Sequence, residues 1–127
     1  MQLSQFLNNN NKMAGLSEEY VPEITVQELK HLIDNNEQPF ILDVREEWEY
    51  SIVNLGGHLV PLKQLSDRLD ELEPHQEDNM IIVHCRSGGR SAQAVRFLHA
   101  AGLTNTKNLR GGTLAWSKEI DSNYPTY

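Results

Sequence analysis

The chain has 127 residues, the size of one domain, and a chain of that length buries roughly two-thirds of its unfolded surface. Hydrophobic residues make up 39% and charged residues 23%, an ordinary soluble composition. Eleven Lys and Arg stand against 18 Asp and Glu, a formal charge of −7, which speaks against nucleic-acid or anionic-membrane binding through a basic face.

The longest plain apolar run is Met80-Ile81-Ile82-Val83, far short of the roughly 20 residues that span a bilayer. No apolar stretch of signal-peptide length opens the chain. A single cysteine, Cys85, excludes an internal disulfide framework and a Cys-rich zinc site. A reducing, cytoplasmic setting is expected.

Residues 1–21 read as a flexible arm or linker, with an Asn run from Asn8 to Asn11 and little to bury; residues 22–127 read as a single domain. Thr25-Val26-Gln27-Glu28 has the form of a capping box. Val26, Leu29, Leu32 and Ile33 then recur at helical spacing up to about Asn35. Phe40 to Val44 reads as a short apolar strand, Arg45 to Val53 as a short helix, and His58-Leu59-Val60 as a brief second strand. Leu62, Leu65, Leu69 and Leu72 form one stripe of a further helix, which Pro74 is expected to end.

Met80 to His84 reads as a central strand covered on both faces. Cys85 to Arg90 is a small polar loop, and Ser91 to Ala101 a helix ended by Gly102. Thr106 to Leu109 is expected as the last strand, Gly111-Gly112 as a turn, and Thr113 to Ile120 as a final helix carrying Trp116. The alternation predicts an α/β fold: a central, mainly parallel sheet with helices on both faces.

The chemistry concentrates in Cys85-Arg86-Ser87-Gly88-Gly89-Arg90. In open α/β sheets, ligands gather where the C-terminal ends of strands meet the following helices. A short loop containing Gly88 and Gly89 can curl so that successive N–H groups point inward and form an anion nest, reinforced by the positive end of the next helix. Such a nest favours a Cys85 thiolate over the thiol. A lone cysteine is more often a small buried apolar residue, but Gly-Gly between two arginines is a poor context for core packing. His84-Cys85 also matches the start of the tyrosine-phosphatase loop, His-Cys-x5-Arg. Here Arg90 is five places after the cysteine rather than six. The tighter cradle suits sulfur carried on sulfur better than a tetrahedral phosphate.

With these residues in view, the sequence resembles the rhodanese homology domain, a sulfurtransferase family. The match rests on Cys85-Arg86-Ser87-Gly88-Gly89-Arg90-Ser91, on Leu42-Asp43-Val44-Arg45 with Glu46, Glu49 and Tyr50, and on Asn108-Leu109-Arg110-Gly111-Gly112 followed by Ala115-Trp116. One departure is Gly56-Gly57-His58-Leu59-Val60-Pro61-Leu62, where many single-domain members carry Gly-His-Ile-x-Gly-Ala and a later Ile-Pro. That variant, with the Pro125-Thr126-Tyr127 segment, is similar to rhodanese domains fused behind adenylyltransferases that activate ubiquitin-like sulfur carriers.

The resemblance implies a rhodanese-like fold and a sulfurtransferase working by double displacement. Cys85 would be the nucleophile and carry sulfur as a persulfide. Arg86, Ser87, Gly88, Gly89 and Arg90 would bind the substrate. The donor would be thiosulfate or a protein persulfide, with a cysteine desulfurase or a ubiquitin-like sulfur carrier as possible protein partners. No cofactor or metal is implied. The alternative is a partner-binding rhodanese module in a sulfur-carrier pathway.

Expectations for single residues follow. Arg86 should attract the donor anion at the mouth, and Arg90 should brace the loop by pairing with Asp43 or Glu49. His84 should point to the opposite side of its strand and make a structural hydrogen bond. Arg45 should form a salt bridge, Trp116 should be core, and Arg110 and His58 should lie on or near the surface. His31, His75 and His99 are expected in solvent, and Glu46, Glu47 and Glu49 on a mostly solvated face. No His, Cys, Asp and Glu spacing resembles a metal site.

Overall fold

The computed structural model describes residues 20–127; the arm expected over 1–21 lies almost wholly outside them. Five strands form one sheet: β1 (Glu23–Ile24), β2 (Phe40–Asp43), β3 (His58–Leu59), β4 (Ile81–His84) and β5 (Thr106–Leu109). Their spatial order is β1-β5-β4-β2-β3, and every pairing is parallel. The helices are α1 (Val26–Asp34), α2 (Glu47–Ile52), α3 (Glu73–Asp78), α4 (Gly89–Ala100) and α5 (Gly112–Glu119).

Alternation along β4 divides the interior in two. Ile81, Val83 and Cys85 join Leu42, Val44, Leu65, Leu72, Ala94, Val95 and Leu98 in one core, against α4. Ile82 joins Ile24, Val26, Leu29, Leu109 and Trp116 in the other, against α1 and α5. With helices covering both faces, β4 is buried at all four positions, as a central parallel strand requires. Val21 also packs against the first core. No helix among the described residues is long and apolar enough to cross a membrane.

Local chemistry sets the element ends. The Thr25 hydroxyl accepts from the Glu28 amide at 3.1 Å and the Glu28 carboxylate accepts from the Thr25 amide at 2.8 Å, the reciprocal pair expected at the start of α1. The same device opens α2, where the Glu46 amide donates to Glu49 at 3.0 Å.

The leucine stripe departs from expectation. Leu62–Asp67 and Leu69–Glu71 are two 3₁₀ segments meeting at Arg68, not one helix. The stripe contains two i, i+3 steps, Leu62 to Leu65 and Leu69 to Leu72, and three residues per turn serve each of them. Pro74 ends nothing: it sits in the first turn of α3, where a missing N–H costs no helical hydrogen bond.

Candidate functional site

The site forms at the carboxyl end of β4. The chain leaves the strand at Cys85, turns through Gly88 with φ of +110°, and enters α4 at Gly89. A side chain at Gly88 would be strained in that left-handed conformation. The turn brings the free amides of the helix start back over the preceding cysteine. Cys85 Sγ accepts from the Gly88 amide at 3.1 Å and from the Ser91 amide at 3.4 Å, and lies 3.3 Å from Ser91 Oγ.

Burial at 1% exposure raises the Cys85 thiol pKa. The Ser91 hydroxyl and the amides of Ser91, Gly88 and Ser87 lower it, and they outweigh burial, so the net displacement is downward. Ser91 also donates to Asn108 Oδ1. Its one hydroxyl hydrogen has two acceptors in reach. With a thiol at position 85, Ser91 donates to Asn108; with a thiolate, the hydrogen is drawn to sulfur.

The loop is tied down from behind by the β5–α5 junction. The Thr113 amide donates to Cys85 O at 3.0 Å and the Leu114 amide to Arg86 O at 3.1 Å. Asn108 Nδ2 donates to Gly88 O at 3.2 Å. Gly112 makes this approach possible, because a Cβ there would lie 2.3 Å from Cys85 O.

Beside the loop stands a charged network. Both Arg90 terminal nitrogens donate to the Glu49 carboxylate at 2.7 Å, a bidentate pair. Arg90 and the Tyr127 hydroxyl, also 2.7 Å away, hold Glu49 at about 2, well below the ordinary carboxylate value. Burial and the hydrogen bond it donates to Glu49 push the Tyr127 phenol upward, so it stays a neutral donor. Arg45 is fully buried and donates to Asp43 at 2.7 Å, to Val53 O at 2.7 Å and to Tyr127 Oη at 2.9 Å. Arg86 donates to the Tyr127 backbone oxygen and lies over the Tyr127 ring, 5.2 Å from its centroid.

Several expectations are modified by these positions. Glu49 is not solvated; it is 3% exposed at the centre of the network. Arg86 is half-buried against Tyr127 rather than open at the mouth. His84 points away from the Cys85 side, as strand alternation requires. Among the described residues neither ring nitrogen meets a hydrogen-bond partner at full hydrogen-bond geometry, Nε2 standing 3.6 Å from Asp43 Oδ2. Its complete burial lowers its pKa and keeps the ring neutral.

His75 and His99 are half-buried, one stacked on Phe40 at 4.0 Å and the other bonded to Thr106 O at 3.1 Å. Exposed His58 pairs with Glu71, exposed Arg110 with Glu23, and Trp116 is core. Ser87 and Gly89 are exposed at the loop surface. Tyr127 had no predicted role. The Pro125-Thr126-Tyr127 segment carries part of the resemblance, but nothing local to it says where the ring lands.

The chain matches the Rhodanese-like domain family over residues 25–119. It is 34% identical over 122 residues to the adenylyltransferase and sulfurtransferase MOCS3-2 of Zea mays, covering 90% of this chain and 25% of that protein. The chain spans about a quarter of the length of the curated relatives it matches first. A thiosulfate sulfurtransferase from Pseudomonas aeruginosa superposes with a TM-score of 0.71 at 33% identity, over 80% of this chain and 20% of that one. A rhodanese-like domain protein from Staphylococcus aureus superposes with a TM-score of 0.70 at 27% identity, over 84% of this chain and 99% of that one. Sequence family, parallel sheet and strand-to-helix loop therefore agree: the chain belongs to the rhodanese-like domain family.

Proposed function

We propose that this protein is a sulfurtransferase that carries sulfur as a Cys85 persulfide, from thiosulfate or a protein persulfide to a thiophilic acceptor. The observation that carries this is the ring of polar groups around Sγ: the amides of Gly88 and Ser91 donate to it at 3.1 and 3.4 Å, and the Ser91 hydroxyl lies 3.3 Å away. A structural cysteine has no need of such a ring. A nucleophile does, because an amide nest both stabilises the thiolate and receives the charge of what binds to it.

In the first half-reaction the Cys85 thiolate attacks the outer sulfur of thiosulfate. A new S–S bond forms, the old one breaks, and sulfite leaves with its electron pair. The Cys85 persulfide anion that remains is held by the loop amides between Arg86 and Arg90. In the second half-reaction an acceptor nucleophile, such as a thiolate, attacks the terminal sulfur, and the Cys85 thiolate is released. The cysteine is activated by fixed dipoles, with no paired general base. Similarity to proteins named as joined adenylyltransferases and sulfurtransferases supports a sulfur-carrier protein as the acceptor.

The test is intact mass after incubation with thiosulfate. The expected product is one sulfur atom heavier, reverts with cyanide and is absent in Cys85→Ser. An unchanged mass with thiosulfate and with a persulfidated desulfurase alike would leave the partner-binding alternative standing.

A further inference from the structure

Two kinds of polar group meet Cys85 Sγ. The amides of Gly88 and Ser91 are fixed by the backbone turn into α4. The Ser91 hydroxyl, 3.3 Å from Sγ, can rotate, and its hydrogen has a second acceptor in Asn108 Oδ1. Ser91 is fully buried and Asn108 is 2% exposed, so bulk water does not replace a bond that the hydroxyl gives up.

Asn108 stands on β5, and its partners fix which way its amide faces. Nδ2 donates to Gly88 O at 3.2 Å and to Glu23 Oε2 at 3.3 Å, two groups that accept. Glu23 is held in turn by Arg110, whose Nε donates to Oε1 at 3.0 Å. With the nitrogen spent on two acceptors, the oxygen is turned to Ser91. A line of contacts therefore runs from β1 through β5 to the first turn of α4 and ends on the nucleophile.

Charge on Sγ decides where the hydroxyl hydrogen lies. A neutral sulfur is a weak acceptor and an amide oxygen a good one; a thiolate reverses the order. In the persulfide the charge sits on the outer sulfur, so Sγ is neutral and the hydrogen stays on Asn108. When an acceptor takes the outer sulfur, the S–S electron pair goes to Sγ and the hydrogen follows it. We propose that Asn108 is a positioning residue for sulfur transfer: it holds the Ser91 hydroxyl hydrogen while Sγ is neutral and yields it when Sγ becomes a thiolate. This rests on the sulfur-transfer function proposed above and adds the residue that times its one rotatable hydrogen bond.

The test follows iodoacetamide alkylation of Cys85 in the full chain against pH and reads the midpoint. Asn108→Leu removes the competing acceptor at similar volume. The midpoint should fall by about half to one pH unit, the worth of one hydrogen bond. Asn108→Ala removes the same oxygen without overpacking and should shift it the same way. A residue that merely braced the loop would act with the opposite sign, because losing the tie to Gly88 O loosens the amides that favour the thiolate. Ser91→Ala should raise the midpoint by about one unit, and adding Asn108→Leu to it should give no fall. The charged groups around Cys85 and Asn108 (Arg86, Arg90 with Glu49, Glu23 with Arg110) are retained in every variant.

A midpoint that rises or stays in the Asn108 variants, one that stays in Ser91→Ala, or a fall that persists without the Ser91 hydroxyl would each overturn the proposal. Failure of the sulfur-transfer function reads differently: neither thiosulfate nor a persulfidated desulfurase adds mass to Cys85, whatever the midpoints are.

Discussion

Two junctions of this molecule are built to one plan and used in opposite ways. After β4 the chain runs Cys85-Arg86-Ser87-Gly88-Gly89 into α4; after β5 it runs Arg110-Gly111-Gly112 into α5. Each helix is entered through a glycine of positive φ, Gly88 at +110° and Gly111 at +78°. Each helix start therefore presents free amides at the carboxyl edge of the sheet. The amides of α4 turn onto a side chain, Cys85 Sγ. Those of α5 turn onto the backbone of the first junction, the carbonyls of Cys85 and Arg86. A helix N-terminus is a source of partial positive charge in either case; the acceptor placed before it decides whether that charge activates a nucleophile or holds a loop in position.

The sharpest way to break the pairing is at Gly112. A Cβ there would press on Cys85 O at 2.3 Å and Arg86 O at 2.6 Å, both backbone atoms. Gly112→Ala should cost about 2–3 kcal/mol in denaturant unfolding and abolish sulfur uptake measured by mass. Retained uptake would show that the second junction is not the support of the first.

Gly88→Val comes next. A β-branched residue at φ of +110° is strained by about 1–3 kcal/mol, and the backbone should relax by turning the Gly88 amide off Sγ. Sulfur transfer should fall at least about tenfold, one factor of ten per 1.4 kcal/mol. The thiol should alkylate with a higher apparent pKa than the wild type. The wild-type thiol should alkylate with an apparent pKa below that of the same cysteine in the unfolded chain; an equal or higher value would remove the nest from the account.

A pH effect of intermediate size tests the ionic brace. Glu49 sits at about 2 in the fold against an ordinary 4.5. Its contribution to stability is thus fully present above pH 4.5 and is lost as pH falls toward 2. Unfolding free energy measured across that window should drop more steeply for the wild type than for Glu49→Gln. Parallel curves would mean that the Arg90 pair contributes nothing to folding. The smallest effect is expected at Gly89, where a Cβ meets no atom within 4 Å: Gly89→Ala should change stability by no more than about 1 kcal/mol.

The strands, the capping box of α1 and the cysteine loop were legible because each rests on neighbours in sequence. Apolar runs set β2 and β4, the Thr25–Glu28 spacing set a helix start, and Gly88-Gly89 after Cys85 set the turn. The leucine stripe misled because i, i+3 steps serve a 3₁₀ turn as well as an α-helix, and Pro74 can begin a helix as well as end one. Glu49 read as mostly solvated because its neighbours Glu46 and Glu47 are charged; it was one of two carboxylates expected for Arg90, while Tyr127, 78 residues away, gave no local sign.

Local order along the chain thus settled where a nucleophile could be presented, since hydrophobic period and turn chemistry act over a few residues. Only the assembled fold decided what surrounds it. Glu49, Arg90, Asn108 and Tyr127 come from four separate segments, and it is packing across the sheet edge that sets which charge meets which partner.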